Sequence, residues 1–258
     1  MKRLLTAAWL IPFGTYSIFY APHTLFVFTV VLLALFCFWE YTRLVENQGL
    51  LTFSFTGYIA GIALLILPGD AWASVALLPV LALGLSLRSN DFKTGFASAG
   101  AFALGILYVF GAWLSGIALH DKSPHWLFFA CALNWAGDTG AYYTGRTFGK
   151  HKLAPGISPN KTIEGAIGGI AASIIFAEIY LPRFVSGVTI AEAMALAIVG
   201  NLAGQIGDLC ESALKRGAGM KDSGTMLAGH GGWLDRLDSS LFSMPTIYWA
   251  LLVLYRWQ

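Results

Sequence analysis

Long apolar runs separated by short polar joints set the pattern of this chain. A helix that crosses a membrane needs about 20 apolar residues. Runs of that kind fall near 4–21, 25–42, 50–68, 71–87, 95–119, 125–145, 165–182, 190–212 and 240–255. They predict an all-α polytopic membrane protein of about nine transmembrane helices, a single integral domain over 1–258 in which helices of 1–120 precede a catalytic part at 121–258. The run that follows Met1-Lys2-Arg3 resembles a signal peptide, but no polar domain succeeds it, and it is read as an uncleaved first helix. Only two joints are long, 146–164 and 213–239, and long loops in compact bundles are usually functional. No internal repeat is visible, so the inverted-repeat logic of many transporters gains no support.

Composition agrees with lipid as the solvent. Of 258 residues 57% are hydrophobic and 12% charged, against about 25% charged in a soluble domain. That supply is too small to face so much apolar chain with water, which excludes a soluble globular enzyme. Cys37, Cys131 and Cys210 lie in apolar stretches without pairable spacing and read as buried free thiols. A net charge of +2 gives no reason to expect a nucleic-acid partner.

The placement of the charges says more than their number. With nine crossings, Lys2, Arg3, Arg43, Arg88, Lys93, Arg146, Lys150, Lys152, Lys161, Lys215, Arg216, Lys221 and Arg236 share the N-terminal side, and only Lys122, Arg183 and Arg256 face the other. The positive-inside rule then puts the N-terminus and both long loops in the cytosol and the C-terminus opposite, in a bacterial inner membrane. Acids within the spans are costly and become functional candidates. Asp138 shares a face with Asn134, Ala141, Tyr142 and Gly145. At about 100° per residue, Asn201, Gln205, Asp208, Ser212, Lys215 and Arg216 form one polar stripe, read as lining a cavity, with Cys210 opposite. A Glu211–Lys215 pair one turn apart would explain part of that stripe. Glu40, Glu178 and Glu192 are expected to be solvated at the interfaces.

The two long loops carry the candidate chemistry. In the first, Ser158-Pro159-Asn160-Lys161-Thr162 reads as a helix start, Ser158 as N-cap and Pro159 in the first turn, with Lys161 and Thr162 beside an anion-binding N-terminus. It is not a P-loop, because Pro155 and Asn160 stand at both obligatory glycine positions. The second loop brings Lys221-Asp222, a glycine-flanked His230, and Asp235-Arg236 with Asp238 three residues from Asp235. His230 reads as a turn or phosphate-contact residue rather than a metal ligand. Asp208, Asp235 and Asp238 offer hard oxygen ligands of the kind Mg²⁺ takes together with substrate phosphates. Basic side chains, carboxylates and glycines in this combination suit phosphoryl or nucleotidyl transfer at a membrane face.

Glu211-Ser212-Ala213-Leu214-Lys215-Arg216, Lys221-Asp222-Ser223-Gly224, Gly229-His230-Gly231-Gly232 and Leu234-Asp235-Arg236-Leu237-Asp238-Ser239 resemble the signature of the phosphatidate cytidylyltransferase (CDP-diacylglycerol synthase) family. Asp138-Thr139-Gly140-Ala141-Tyr142 and Ser158-Pro159-Asn160-Lys161-Thr162 are similar to its two earlier motifs, so the specific match spans roughly 134–239. Ala228 stands where the family usually has Pro, and Trp233 where an aliphatic is usual; these bear on loop rigidity and packing, not on the charged set. The resemblance implies CTP and phosphatidic acid as substrates, giving CDP-diacylglycerol and pyrophosphate. It implies Mg²⁺ on Asp208, Asp235 and Asp238, with room for a second cation, and phosphate contacts from Ser158, Lys161 and Thr162. Lys215, Arg216, Lys221 and Arg236 would neutralise charge, and Asp138, Asp222 and His230 would support them, with Pro159, Asn160, Asn201 and Ser212 lining the substrate site. A second copy of the chain, as a homodimer, is the protein partner expected. Two other readings compete: a CTP-dependent polyprenol-type kinase, which would release CDP, and a cation-coupled secondary transporter using Asp138 and Asp208.

Overall fold

Helices built on these apolar runs make up most of the computed structural model, which describes residues 12–255 apart from 67–70, 89–90, 228 and 230. A helical segment at 12–19 falls within the first expected span, whose earlier residues, with Lys2 and Arg3, lie outside the described residues, as does Arg256. Then follow α1 (His23–Asn47), α2 (Ser54–Ile66), α3 (Ala71–Ser86) and α4 (Phe92–Ile106). A π-helical turn, Leu107–Gly111, runs from α4 into α5 (Ala112–Lys122), making one rod where the sequence predicts one span. The remaining helices are α6 (Pro124–Phe148), α7 (Ile163–Phe184), α8 (Ile190–Gly217) and α9 (Leu234–Tyr255).

Five of these stretches are long and apolar enough to cross a membrane: His23–Asn47, Lys93–Lys122, Ile163–Phe184, Ile190–Gly217 and Leu234–Tyr255. α2 and the Val75–Ser86 part of α3 are shorter apolar helices. The protein is therefore an α-helical integral membrane protein. The chain forms two compact units, one of residues 1–114 and 214–236, the other of 115–213 and 237–258.

In the first unit the core is aromatic. Phe38 of α1 lies 5.3 Å from Phe110 and 5.3 Å from Tyr58, centroid to centroid. The Tyr41 hydroxyl donates to the Ala101 carbonyl at 2.8 Å, satisfying a polar group that burial would otherwise make costly.

In the second unit, α6 and α7 meet through small residues, which is how helices approach closely without a hydrophobic drive from lipid. A Cβ on Gly140 would lie 2.7 Å from the Gly168 carbonyl oxygen. Polar side chains lock this contact and tie α8 and α9 to it. Ser173 of α7 donates to the Leu133 carbonyl at 2.8 Å, Asn201 of α8 donates to Ser173 Oγ at 2.9 Å, and Asn134 of α6 donates to Ser243 Oγ of α9 at 2.9 Å.

Local structure departs from expectation at four places. Residues 158–162 form a strand rather than a helix start: β2 (Ser158–Thr162) pairs antiparallel with β1 (Lys152–Ala154), Lys152 opposite Thr162 and Ala154 opposite Ser158. The N-cap of α7 is Thr162, whose Oγ1 accepts from the Gly165 N–H at 3.1 Å. Glu40 is fully buried instead of solvated. Only Cys37 of the three thiols is buried, Cys210 being exposed. Finally, the inner half of the α8 stripe is packed against α7 rather than open. Gln205 Nε2 donates to Asn201 Oδ1 at 2.6 Å and to the Ala166 carbonyl at 3.0 Å.

Candidate active site

In the second unit the hairpin delivers Lys161 to α8. The last residues of β2 turn into α7 at the Thr162 cap, and the Lys161 ammonium lies 2.5 Å from Asp208 Oδ2. Both side chains are partly exposed, Lys161 by 26% and Asp208 by 31%, so the pair can be reached by a polar ligand. One turn further along α8, Ser212 Oγ donates to Asp208 Oδ1 at 3.4 Å. Asp238 is half-buried near the start of α9, its Oδ1 accepting from the Ser239 N–H at 2.6 Å. Its main chain packs on Gly207, where a Cβ would come within 2.7 Å of the Asp238 carbonyl oxygen. This unit therefore sets Asp238 against the turn of α8 that bears Asp208.

A carboxylate with no assigned role in the sequence reading holds the hairpin in place. Glu164, in the first turn of α7, accepts from the Lys150 N–H at 3.1 Å, and its Oε1 lies 2.6 Å from His151 Nδ1. The bond ties the entry of β1 to the helix that follows β2. Ser158 is half-buried, Pro159 and Asn160 are exposed, and Asp138 is an exposed residue of α6. Asn201, by contrast, is buried and spends its side chain on the helix contacts described above.

The first unit contains the other charged group. Lys215, on the last turn of α8, places Nζ 2.6 Å from Asp235 Oδ1, and both side chains are nearly inaccessible. The other oxygen, Oδ2, accepts from the Ser223 N–H at 2.9 Å and the Gly232 N–H at 2.8 Å, and lies 3.0 Å from Ser223 Oγ. Together these contacts, led by the Lys215 partner, satisfy a carboxylate that burial alone would destabilise. Gly231 has φ +80°, a conformation favourable to glycine alone, and a Cβ there would also lie 2.6 Å from Asp235 Oδ2.

Glu40 of α1 completes this group from far away in sequence. Its Oε1 accepts from the Trp233 N–H at 3.0 Å, and its Oε2 accepts from the Leu234 N–H at 2.8 Å and from Ser223 Oγ at 2.8 Å. Trp233, the unusual residue of the loop, stacks its ring on Phe36 at 5.9 Å. Arg216, Lys221, Asp222 and Arg236 are exposed, with the Arg216 guanidinium donating to the Met220 carbonyl at 3.1 Å. His230 lies outside the described residues.

Within each unit, then, a lysine faces an aspartate beside further acids and bases. The partly exposed Lys161–Asp208 pair is suited to meeting charged ligands, and the buried Lys215–Asp235 pair to fixing the turn that carries Arg236. Exposed cations beside exposed carboxylates can neutralise phosphates and hold a hard cation at the same surface.

Comparison with known proteins agrees with that chemistry. The model of the cytidylyltransferase family matches residues 1–254, and the chain belongs to this family. Among its relatives is the phosphatidate cytidylyltransferase of Bacillus subtilis (strain 168), 41% identical over 170 residues, covering 64% of this chain and 62% of the relative. The enzyme of the same name from Staphylococcus epidermidis (strain ATCC 12228) is 39% identical over 236 residues, covering 86% of this chain and 87% of the relative. That of Staphylococcus saprophyticus is 36% identical over 211 residues, covering 78% and 81%.

Proposed function

We propose that the protein transfers the cytidylyl group of CTP to phosphatidic acid, releasing pyrophosphate and leaving CDP-diacylglycerol in the membrane. The observation that carries this reading is the family match along nearly the whole chain, with relatives named for that reaction. A phosphate oxygen of the lipid attacks the α-phosphorus of CTP as the bond to the β-phosphate oxygen breaks. No protein nucleophile is needed, because the acceptor already carries one. The work left to the protein is positioning and charge neutralisation.

Lys161, with Ser158, is the proposed phosphate-facing group of the hairpin, and Thr162, buried as the N-cap of α7, holds it there. Pro159 and Asn160 shape its exposed edge. Arg216, Lys221 and Arg236 neutralise nucleotide and headgroup charge, and Lys215 holds Asp235. Asp138, Ser212, Asp222 and His230 complete the proposed substrate set, with Asn201 supporting it from the buried contact between α7 and α8.

Mg²⁺ is the proposed cofactor. The donor set fits a hard cation: Asp208 and Asp238 are partly accessible carboxylates, and Asp208 already has an ammonium against one oxygen. Asp235 belongs to the proposed ligand set through the family motif, although both its oxygens already accept from protein donors. When bound, the metal would offset the charge that builds up on the departing phosphates. The proposed setting is a bacterial inner membrane crossed nine times, with both long loops in the cytosol.

The test uses purified full-length protein with labelled CTP, phosphatidate and Mg²⁺ in mixed micelles. CDP-diacylglycerol and pyrophosphate are the expected products, and release of CDP with a phosphorylated lipid would overturn the reading in favour of a kinase. Asp208→Asn should lower turnover by at least about 10²-fold, the scale of losing one electrostatic contact to a transition state. Wild-type turnover in that variant would remove Asp208 from the metal set.

A further inference from the structure

Glu40 lies outside the motifs of the family resemblance, yet its carboxylate is one of the most deeply enclosed charged groups of the first unit, with no exposed surface. A buried carboxylate is tolerated only where donors replace its water. Its donors here are the Ser223 hydroxyl and the backbone N–H groups of Trp233 and Leu234. Those two N–H groups open α9, and the first N–H groups of a helix have no partner within it. A carboxylate placed there is also favoured by the positive end of the helix dipole. α1 therefore supplies the N-terminal cap of a helix that begins almost two hundred residues later.

The same carboxylate reaches Asp235 through one shared hydroxyl. Ser223 Oγ is 2.8 Å from Glu40 Oε2 and 3.0 Å from Asp235 Oδ2, while the Asp235 N–H donates back to it at 3.3 Å. The grip is close. A Cβ on Gly224 would lie 2.5 Å from Glu40 Oε1, and one on Gly232 would strike both Glu40 and Ser223. One turn before Glu40, Phe36 holds the Trp233 ring, so α1 fixes this loop by side chain and by backbone together.

We propose that Glu40 is a positioning residue for the transferase reaction: it sets the start of α9 and, through Ser223, the orientation in which Asp235 meets Lys215. The kinetic part of this inference rests on the cytidylyltransferase reading; the structural part does not.

Full-length Glu40→Gln, Ser223→Ala and the double variant, each purified as monodisperse protein, provide the test. The amide of Glu40→Gln keeps the shape but turns an N–H₂ toward groups that are themselves donors. Its turnover per folded molecule should fall by about 10²-fold, the cost expected of a misplacement near 1 Å. KM for both substrates should hold, and trypsin should cut after the exposed Lys221 faster than in the wild type. Ser223→Ala should show a smaller loss in the same direction, and the double variant should lose less than the two single losses combined, because the two side chains share one bond.

Wild-type turnover and cleavage in Glu40→Gln would overturn the proposal. So would a loss of activity matched only by a loss of folded protein, or a raised KM at unchanged kcat. If Glu40→Gln yields no folded protein, wild-type turnover and cleavage in Ser223→Ala overturns it instead. If the wild-type protein makes no CDP-diacylglycerol, the reaction reading fails while the trypsin comparison still decides whether Glu40 holds the loop.

Discussion

A single methyl group at position 232 has nowhere to go. It would meet the Glu40 carboxylate and the Ser223 hydroxyl, both already committed to the start of α9. Gly232→Ala should therefore lower stability by about 1–3 kcal/mol, the usual cost of overpacking an enclosed site, and turnover should fall with it. Gly156 in the hairpin turn has open space around its Cβ position, so Gly156→Ala should leave the melting temperature in detergent unchanged. Thermal unfolding of the two variants side by side checks the contrast. Residues of this kind were only partly legible in the sequence. The pairing of Asp208 with Lys161 joins two positions that were singled out for their charge and motif. Glu40 could not be found that way, because its partners lie 183 to 194 residues away and two of them are backbone N–H groups that carry no sequence signal.

The helices themselves were legible to within a few residues, because lipid imposes a length and an apolar character that no other element shares. The failure at 158–162 has a local cause. Ser158-Pro159 satisfies the rules for a helix start, but Thr162 satisfies them too, four residues later and next to the helix that actually forms. Pairing of 158–162 with 152–154 then decides between them, reinforced by Glu164, which holds the entry of β1. Two short strands have too few residues for their alternation to be read against such a cap signal. Thr162→Ala removes the oxygen that accepts from the Gly165 N–H and should cost α7 about 1 kcal/mol, the typical worth of an N-cap. Thr162→Ser keeps the oxygen and should keep most of that stability. Thermal unfolding of both variants in detergent measures the difference, and equal melting temperatures would mean that the hairpin, not the cap, sets the start of α7.

At the scale of the whole molecule, α6 is the helix that decides the topology. It has 25 residues, so at about 1.5 Å per residue it is long enough for a hydrocarbon core of about 30 Å. It is nonetheless not among the five helices whose composition alone marks a span, since Asn134, Asp138, Thr139 and Arg146 dilute its apolar face. Its polar residues do not forbid a crossing, because Asn134 is buried and bonded to Ser243 and to the Ala130 carbonyl. The proposed nine-span topology includes that crossing: it puts Lys122, just before α6, on the sparse side, and Lys152, just after it, on the side that would hold 13 of the 16. Single-cysteine variants Lys122→Cys and Lys152→Cys, made in a chain lacking Cys37, Cys131 and the exposed Cys210, turn this into a measurement. In intact cells stripped of their outer barrier, a membrane-impermeant maleimide should label position 122 and spare position 152, and inverted vesicles should give the reverse. Labelling of both from one side would mean that α6 does not cross. The thirteen-to-three partition would then collapse, because every basic residue after α6 would change sides, and with it the cytosolic placement of Lys161, Lys215, Lys221 and Arg236.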